Sequence, residues 1–263
     1  MSNKAILVVS FGSSYKGTRE KTLDVIEREI REAFPEYKIY SAYTSKTILK
    51  ILKTRDSLEV YSVVEAFEKI QQDGIQEIIV QPTLMLNGVE FNIMKEEASK
   101  FKDKFQSIKF GDPLLSTTAD FFAVVNSFLK SAPSISENEA IILMAHGNKN
   151  FSNDEYTSLK YIFKTKGKEH IYLGTGEYSK DIVNIIDILK RRNYKKIILI
   201  PFMIVAGKHA IKDMASEDEG SWMSLLNKAG FEVECIVKGL GENREIRGII
   251  IEHIRKARIL FDL

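Results

Sequence analysis

Apolar residues along this chain fall into two alternating patterns. Short continuous runs, such as Ile-Leu-Val-Val (6–9) and Ile-Ile-Leu-Ile (197–200), alternate with longer stretches in which apolar positions recur every three or four residues. Runs of the first kind suit strands buried on both faces of a parallel sheet. Short β-rich runs, several of them continuous in this way, predict strands at Ala5–Ser10, Tyr37–Ser41, Glu77–Gln81 and Ser107–Phe110, and again at Ala140–Ala145, His170–Gly174, Lys196–Ile200 and Phe231–Val237. The second kind predicts helices. Thr18–Phe34 carries Leu23, Ile26, Ile30 and Phe34 at helical spacing and stops before Pro35. Glu65–Gln72 ends before Gly74, suited to a helix C-terminus. Asn92–Lys104 is a further helix. Asp181–Arg191 has Ile182, Ile185, Ile186 and Leu189 on one face and ends on cations that complement the helix dipole. Glu245–Arg258 is the last helix, with His253 expected on a solvated turn. Alternating β and α elements predict an α/β protein with parallel sheets and right-handed crossovers.

The two halves resemble each other. Aligning Pro82 with Pro201 puts Gly88 on Gly207 and Glu90 on His209; aligning Val-Val-Ser-Phe-Gly (8–12) with Leu-Met-Ala-His-Gly (143–147) puts Phe11 opposite His146. The turn-rich segment Ser131–Asn138 lies between them. The expectation is two similar lobes, residues 1–134 and 135–263. Each is a parallel four-stranded sheet flanked by helices, with the active site in the cleft between them and the metal ligands on the C-terminal lobe.

Composition narrows the partners. Net charge is +2, from 38 basic and 36 acidic residues, so no electrostatic case exists for a nucleic-acid partner. No stretch approaches the roughly 20 apolar residues of a membrane span, and the first apolar run is too short for a signal segment. The cytoplasm is the expected location. The single cysteine, Cys235, cannot form an internal disulfide and is expected to pack in the core. A homo-oligomer is left open.

Open parallel sheets place their sites beyond the carboxyl ends of the strands, and the candidate residues cluster there. His146 directly follows a buried run and precedes Gly147; His209 follows Gly207 in the loop leaving another strand. Each alone also suits a structural histidine. Glu177, in the turn Gly-Thr-Gly-Glu-Tyr-Ser (174–179), is a third candidate ligand or an acid at a helix start. Two imidazoles and a carboxylate bind a borderline divalent ion and leave positions open. Glu90, in an otherwise apolar loop, is a candidate proton acceptor or a helix cap. Ser10, Ser13 and Ser14 precede a helix whose N-terminus suits an anion, although a plain N-cap explains at least one of them. The acidic run ending at Trp222 reads as a solvated loop with an apolar anchor, or as the rim of a pocket. No Gly-x-Ser-x-Gly elbow supports a serine hydrolase. His170 begins a strand, away from the expected edge.

Several motifs carry a resemblance that runs nearly end to end: Leu-Val-Val-Ser-Phe-Gly-Ser-Ser-Tyr (7–15), Ala-Tyr-Thr-Ser (42–45), Arg55-Asp56, Asn-Gly-Val-Glu (87–90), Gly-Asp-Pro-Leu-Leu-Ser (111–116), Met-Ala-His-Gly (144–147) and Gly-Leu-Gly-Glu-Asn (239–243). The most specific is the run from Pro201 through His209 to Trp222. In these the chain resembles the anaerobic sirohydrochlorin cobalt chelatases, within the class II tetrapyrrole chelatases. The resemblance implies insertion of Co²⁺ into sirohydrochlorin early in anaerobic cobalamin biosynthesis. It implies metal ligation by His146, Glu177 and His209, and catalysis by His146 and Glu90. Ser10, Ser13, Ser14 and Arg55 are the expected contacts to substrate carboxylates. Co²⁺ is then a substrate, and no organic cofactor is expected. A chelatase for iron or nickel, or a non-catalytic tetrapyrrole- or metal-binding protein, is the alternative reading.

Overall fold

The computed structural model describes residues 3–147, 154–176 and 179–260. They form two units, one built from residues up to Asp120 together with those from Arg244 onward, the other from Phe121 to Asn243. The first unit runs β1 (Lys4–Ser10), α1 (Lys16–Lys21), α2 (Leu23–Ala33), β2 (Lys38–Tyr43), α3 (Lys46–Asp56), β3 (Tyr61–Ser62), α4 (Val63–Gln72), β4 (Glu77–Pro82), α5 (Val89–Ser99) and β5 (Ser107–Phe110). Helix α6 (Thr118–Ser131) leads into the second unit, with β6 (Glu139–Ala145), α7 (Asp154–Thr165), β7 (Ile171–Thr175), α8 (Ser179–Arg191), β8 (Lys196–Pro201), a π-helical turn (His209–Met214), α9 (Trp222–Lys228) and β9 (Glu232–Cys235). Helix α10 (Arg244–Arg255) returns to the first unit.

Both sheets are wholly parallel among the described strands, in the orders β3-β2-β1-β4-β5 and β7-β6-β8-β9. The first has five strands where four were expected. The extra one, β3, is a two-residue edge strand, too short for an apolar run to announce it. The central strands β1 and β6 are buried from their second residue to their last, as their unbroken apolar sequences require. Helix α4 starts on a capping box: the Glu65 amide donates to Ser62 Oγ, and Glu65 Oε2 accepts from the Ser62 amide at 2.8 Å.

The internal duplication extends to the backbone. Val9 pairs with Pro82 as Met144 pairs with Pro201. Thr83 N donates to Val9 O at 2.8 Å, and Phe202 N to Met144 O at 2.7 Å. Gly88 N donates to Leu86 O as Gly207 N donates to Val205 O, at 3.0 and 2.9 Å. Gly12 and Gly147 both turn the chain at positive φ, 96° and 88°. Without β3 the two sheets have the same strand order.

Further sequence expectations change. The long helix over Thr18–Phe34 is two helices, because Thr22 leaves the helical region (φ −123°, ψ −79°); its Oγ1 donates to Thr18 O at 2.6 Å, a bond of the kind that bends helices. The compact units part at Asp120 and Phe121, away from residue 134, and α10 belongs with the first unit. Its Ile246, Ile250 and Ile254 are buried, and Arg247 donates to Glu29 of α2 at 2.7 Å. His253 is buried, against the expectation of a solvated turn. It lies on the same stripe as those isoleucines, with Nδ1 donating to Asp112 O at 3.0 Å and Nε2 3.1 Å from Asp120 Oδ1.

Candidate functional site

The second unit brings two imidazoles together at the carboxyl edge of its sheet. Neighbouring strands β6 and β8 deliver them. Every residue of β6 from Ala140 to Ala145 is buried, so the chain first emerges at half-buried His146, and Gly147 then turns it away. After β8 the chain stays buried through Phe202, Met203 and Ile204 before Gly207 closes a tight turn. The π-helical turn then opens with His209. The two ring centroids lie 4.5 Å apart with planes at 86°.

Each ring uses its Nδ1 on an oxygen. His146 Nδ1 donates to Gly147 O at 3.3 Å, since a carbonyl only accepts. His209 Nδ1 lies 2.5 Å from Asp213 Oδ2. Both contacts favour the tautomer whose lone pair is on Nε2, the form in which imidazole binds a metal. Asp213 was absent from the sequence-predicted set, although its spacing of four residues from His209 in a helical run signals it.

The remaining predicted residues are placed as follows. Glu177 lies outside the described residues, and among the described residues no group of three His, Cys, Asp or Glu side chains could hold a metal ion. Glu90 is half-buried in the first turn of α5, at the position equivalent to His209. Ser10 is buried and its Oγ shares a 2.7 Å hydrogen bond with Thr83 Oγ1. Ser13 is buried too; its Oγ accepts from Tyr15 N at 3.2 Å, and its carbonyl accepts from Arg19 Nη1 at 3.0 Å. These hydroxyls support the loop after β1. Ser14 is half-buried, and its carbonyl accepts from Arg55 Nη2. Arg55, exposed at the end of α3, also pairs with Asp56 through Nε at 2.7 Å and Nη2 at 2.8 Å. Two arginines therefore clasp the Ser10–Tyr15 loop through its carbonyls.

Cys235 is half-buried in β9 against the second core. Burial and then Glu234 push its thiol up to about 11, so the thiolate a metal would need is scarce near neutrality. The acidic run after Asp213 is an exposed loop, anchored by Trp222, which is buried in the same core. No described helix is long and apolar enough to cross a membrane.

A family model described as cobalt chelatase (CbiK) matches residues 4–259. The chain belongs to the CbiK cobalt chelatase family. Among its relatives is the sirohydrochlorin cobaltochelatase of Salmonella typhimurium, 32% identical over 254 residues that span 97% of this chain and 96% of that one. Another is the sirohydrochlorin cobaltochelatase CbiKC of Nitratidesulfovibrio vulgaris, 27% identical over 98% of this chain and 91% of that one. Solved structures share the fold of this CbiK-family chain. SirB from Bacillus subtilis with Fe³⁺ matches with a TM-score of 0.64 at 13% identity, over 96% of this chain and 94% of that one. CbiX, the terminal enzyme for siroheme biosynthesis in denitrifying bacteria, matches with a TM-score of 0.53 at 13% identity, over 97% of this chain and all of the other, 100%.

Proposed function

We propose that this CbiK-family chain is a sirohydrochlorin cobaltochelatase, inserting Co²⁺ into sirohydrochlorin with release of two protons on the route to cobalamin. The observation that carries the reading is the pair of imidazoles, His146 and His209, 4.5 Å apart at one sheet edge of a chain that belongs to the cobalt chelatase family. In this reading the substrate ion enters on the Nε2 atoms of His146 and His209, with Glu177 as the third ligand. Positions left open let ring nitrogens replace water stepwise. Each pyrrole N–H that loses its proton needs an acceptor. Glu90 takes that role, as the carboxylate standing where the repeat places His209 in the other half. Ser14 and exposed Arg55 are the contacts for substrate carboxylates, while buried Ser10 and Ser13 hold their loop. Affinity order alone does not select cobalt, because nickel and copper bind such ligands more tightly.

Sirohydrochlorin mixed with excess Co²⁺ and a small molar fraction of protein tests this by absorbance. Multiple turnovers are expected. His146→Ala and His209→Ala each lower the rate by about 100-fold or more, the upper end of what loss of even an outer-shell partner costs. Glu90→Gln lowers kcat by about 100-fold, a typical contribution of one proton-transfer group. A spectral change that stops at one equivalent of protein leaves a binder in place of an enzyme, and faster turnover with Fe²⁺ or Ni²⁺ reassigns the metal.

A further inference from the structure

We infer that Asp213 is a positioning residue for metal capture, acting through His209 to hold its ring with the Nε2 lone pair aimed at the incoming ion. The inference rests on the chelatase reading above. His209 Nδ1 and Asp213 Oδ2 are 2.5 Å apart, a short contact for a hydrogen bond to a carboxylate. A carboxylate accepts and never donates when ionised, so it selects the Nδ1–H form of the ring. It also fixes the ring's rotation. Carboxylate–histidine–metal arrangements of this kind make the ligating nitrogen more basic as well as better aimed.

The two ligand histidines differ in this respect. His146 Nδ1 donates to a backbone carbonyl, Gly147 O, at 3.3 Å. The difference follows the internal repeat. Extending the alignment that puts Glu90 on His209 puts Met94 on Asp213, and Met94 is fully buried in the first core. Where the repeat has Glu90 in place of the His209 imidazole, it has Met94 in place of the Asp213 carboxylate.

The carboxylate stands on a hydrogen-bonded support. Ile211 N donates to Gly207 O at 3.0 Å, entering the turn. Met214, next to Asp213, is fully buried in the second core with Trp222. Ser216 Oγ donates to Lys212 O at 2.7 Å, and Ser221 Oγ to Ser216 O at 2.6 Å. Ser221 also caps α9, accepting from Ser224 N at 3.1 Å. Thus the run from His209 to Trp222 builds a brace whose functional product is the placement of one carboxylate. Asp213 is itself half-exposed, so its effect comes through the direct hydrogen bond and little through charge at a distance.

The full chain titrated with Co²⁺ alone, without tetrapyrrole, gives the direct readout, followed by ligand-field absorption and by calorimetry. Asp213→Ala is expected to weaken Co²⁺ binding by about 10- to 100-fold. In turnover it raises KM for Co²⁺ by a similar factor, with kcat at saturating Co²⁺ little changed and the unfolding midpoint retained. Asp213→Glu recovers part of the affinity, and Asp213→Asn, a neutral acceptor of the same shape, falls between. His209→Ala is the control. If it loses Co²⁺ while Asp213→Ala and Asp213→Asn bind as the wild type does, the role of Asp213 is refuted and the two-imidazole reading stands. If His209→Ala also binds and turns over normally, that reading itself fails. Affinity lost only in step with a fall of the unfolding midpoint in all three Asp213 variants assigns the residue to the fold and overturns the inference.

Discussion

Asp120 is an acid whose charge is held by geometry against burial. Its Oδ2 accepts from the amide and hydroxyl of Thr117, both at 2.8 Å, and its Oδ1 faces His253 Nε2 at 3.1 Å. Burial raises its pKa, but the hydrogen bonds from His253 and Thr117 outweigh that, and the carboxyl ends below its ordinary value. A depressed folded-state pKa stabilises fully above the unfolded value, about 3.9, and the contribution disappears as pH falls through the folded value. Asp120→Asn is expected to cost about 1–3 kcal/mol at pH 7 and to flatten the loss of stability below roughly pH 4. Urea unfolding at stepped pH measures both; parallel wild-type and variant curves contradict the assignment. At this scale the sequence is uneven as a guide. His146 and His209 are legible because each follows a buried run and adjoins a glycine. His253 misleads because charged neighbours at 252, 255 and 256 mask its place on the isoleucine stripe. Asp213 is hidden among the acids of the run that ends at Trp222.

Elements were the most legible level. Short β-rich runs locate eight of the nine strands among the described residues; in β1, β4, β6 and β8 these runs are continuous and apolar, because parallel strands covered on both faces tolerate few polar residues. Burial cannot reveal β3, whose two residues lie at a sheet edge, or the break at Thr22, where the backbone leaves the helical region. The repeat reads correctly because its markers, Pro82 with Pro201 and Gly12 with Gly147, sit where backbone geometry leaves little choice. At Gly12 (φ 96°) an added Cβ would meet the Tyr43 ring at 2.5 Å, whereas at Gly74 (φ 73°) it would meet nothing within 4 Å. Gly74→Ala is therefore expected to cost about 1 kcal/mol, the conformational penalty alone. Gly12→Ala adds overpacking of about 1–3 kcal/mol against a buried ring. Equal unfolding midpoints for the two variants contradict the close approach of the β1 loop to Tyr43.

For the whole molecule, an α/β chain of two like sheets was legible, but the course of its C-terminal segment was not. Helix α10 has an apolar stripe that any sheet face would accept, and periodicity alone does not say which unit it covers. It covers the first, through Ile246, Ile250, Ile254 and the Arg247–Glu29 pair. Membership of the cobalt chelatase family and the pairing of His146 with His209 meet in one claim, that both rings bind the same substrate ion. Crystals of the full chain soaked in Co²⁺, with diffraction recorded across the cobalt absorption edge, test it most directly. One anomalous peak about 2.1 Å from a nitrogen of each ring, a usual imidazole–metal distance, is the predicted result. A cobalt peak away from both rings, or bound by one of them alone, contradicts the claim.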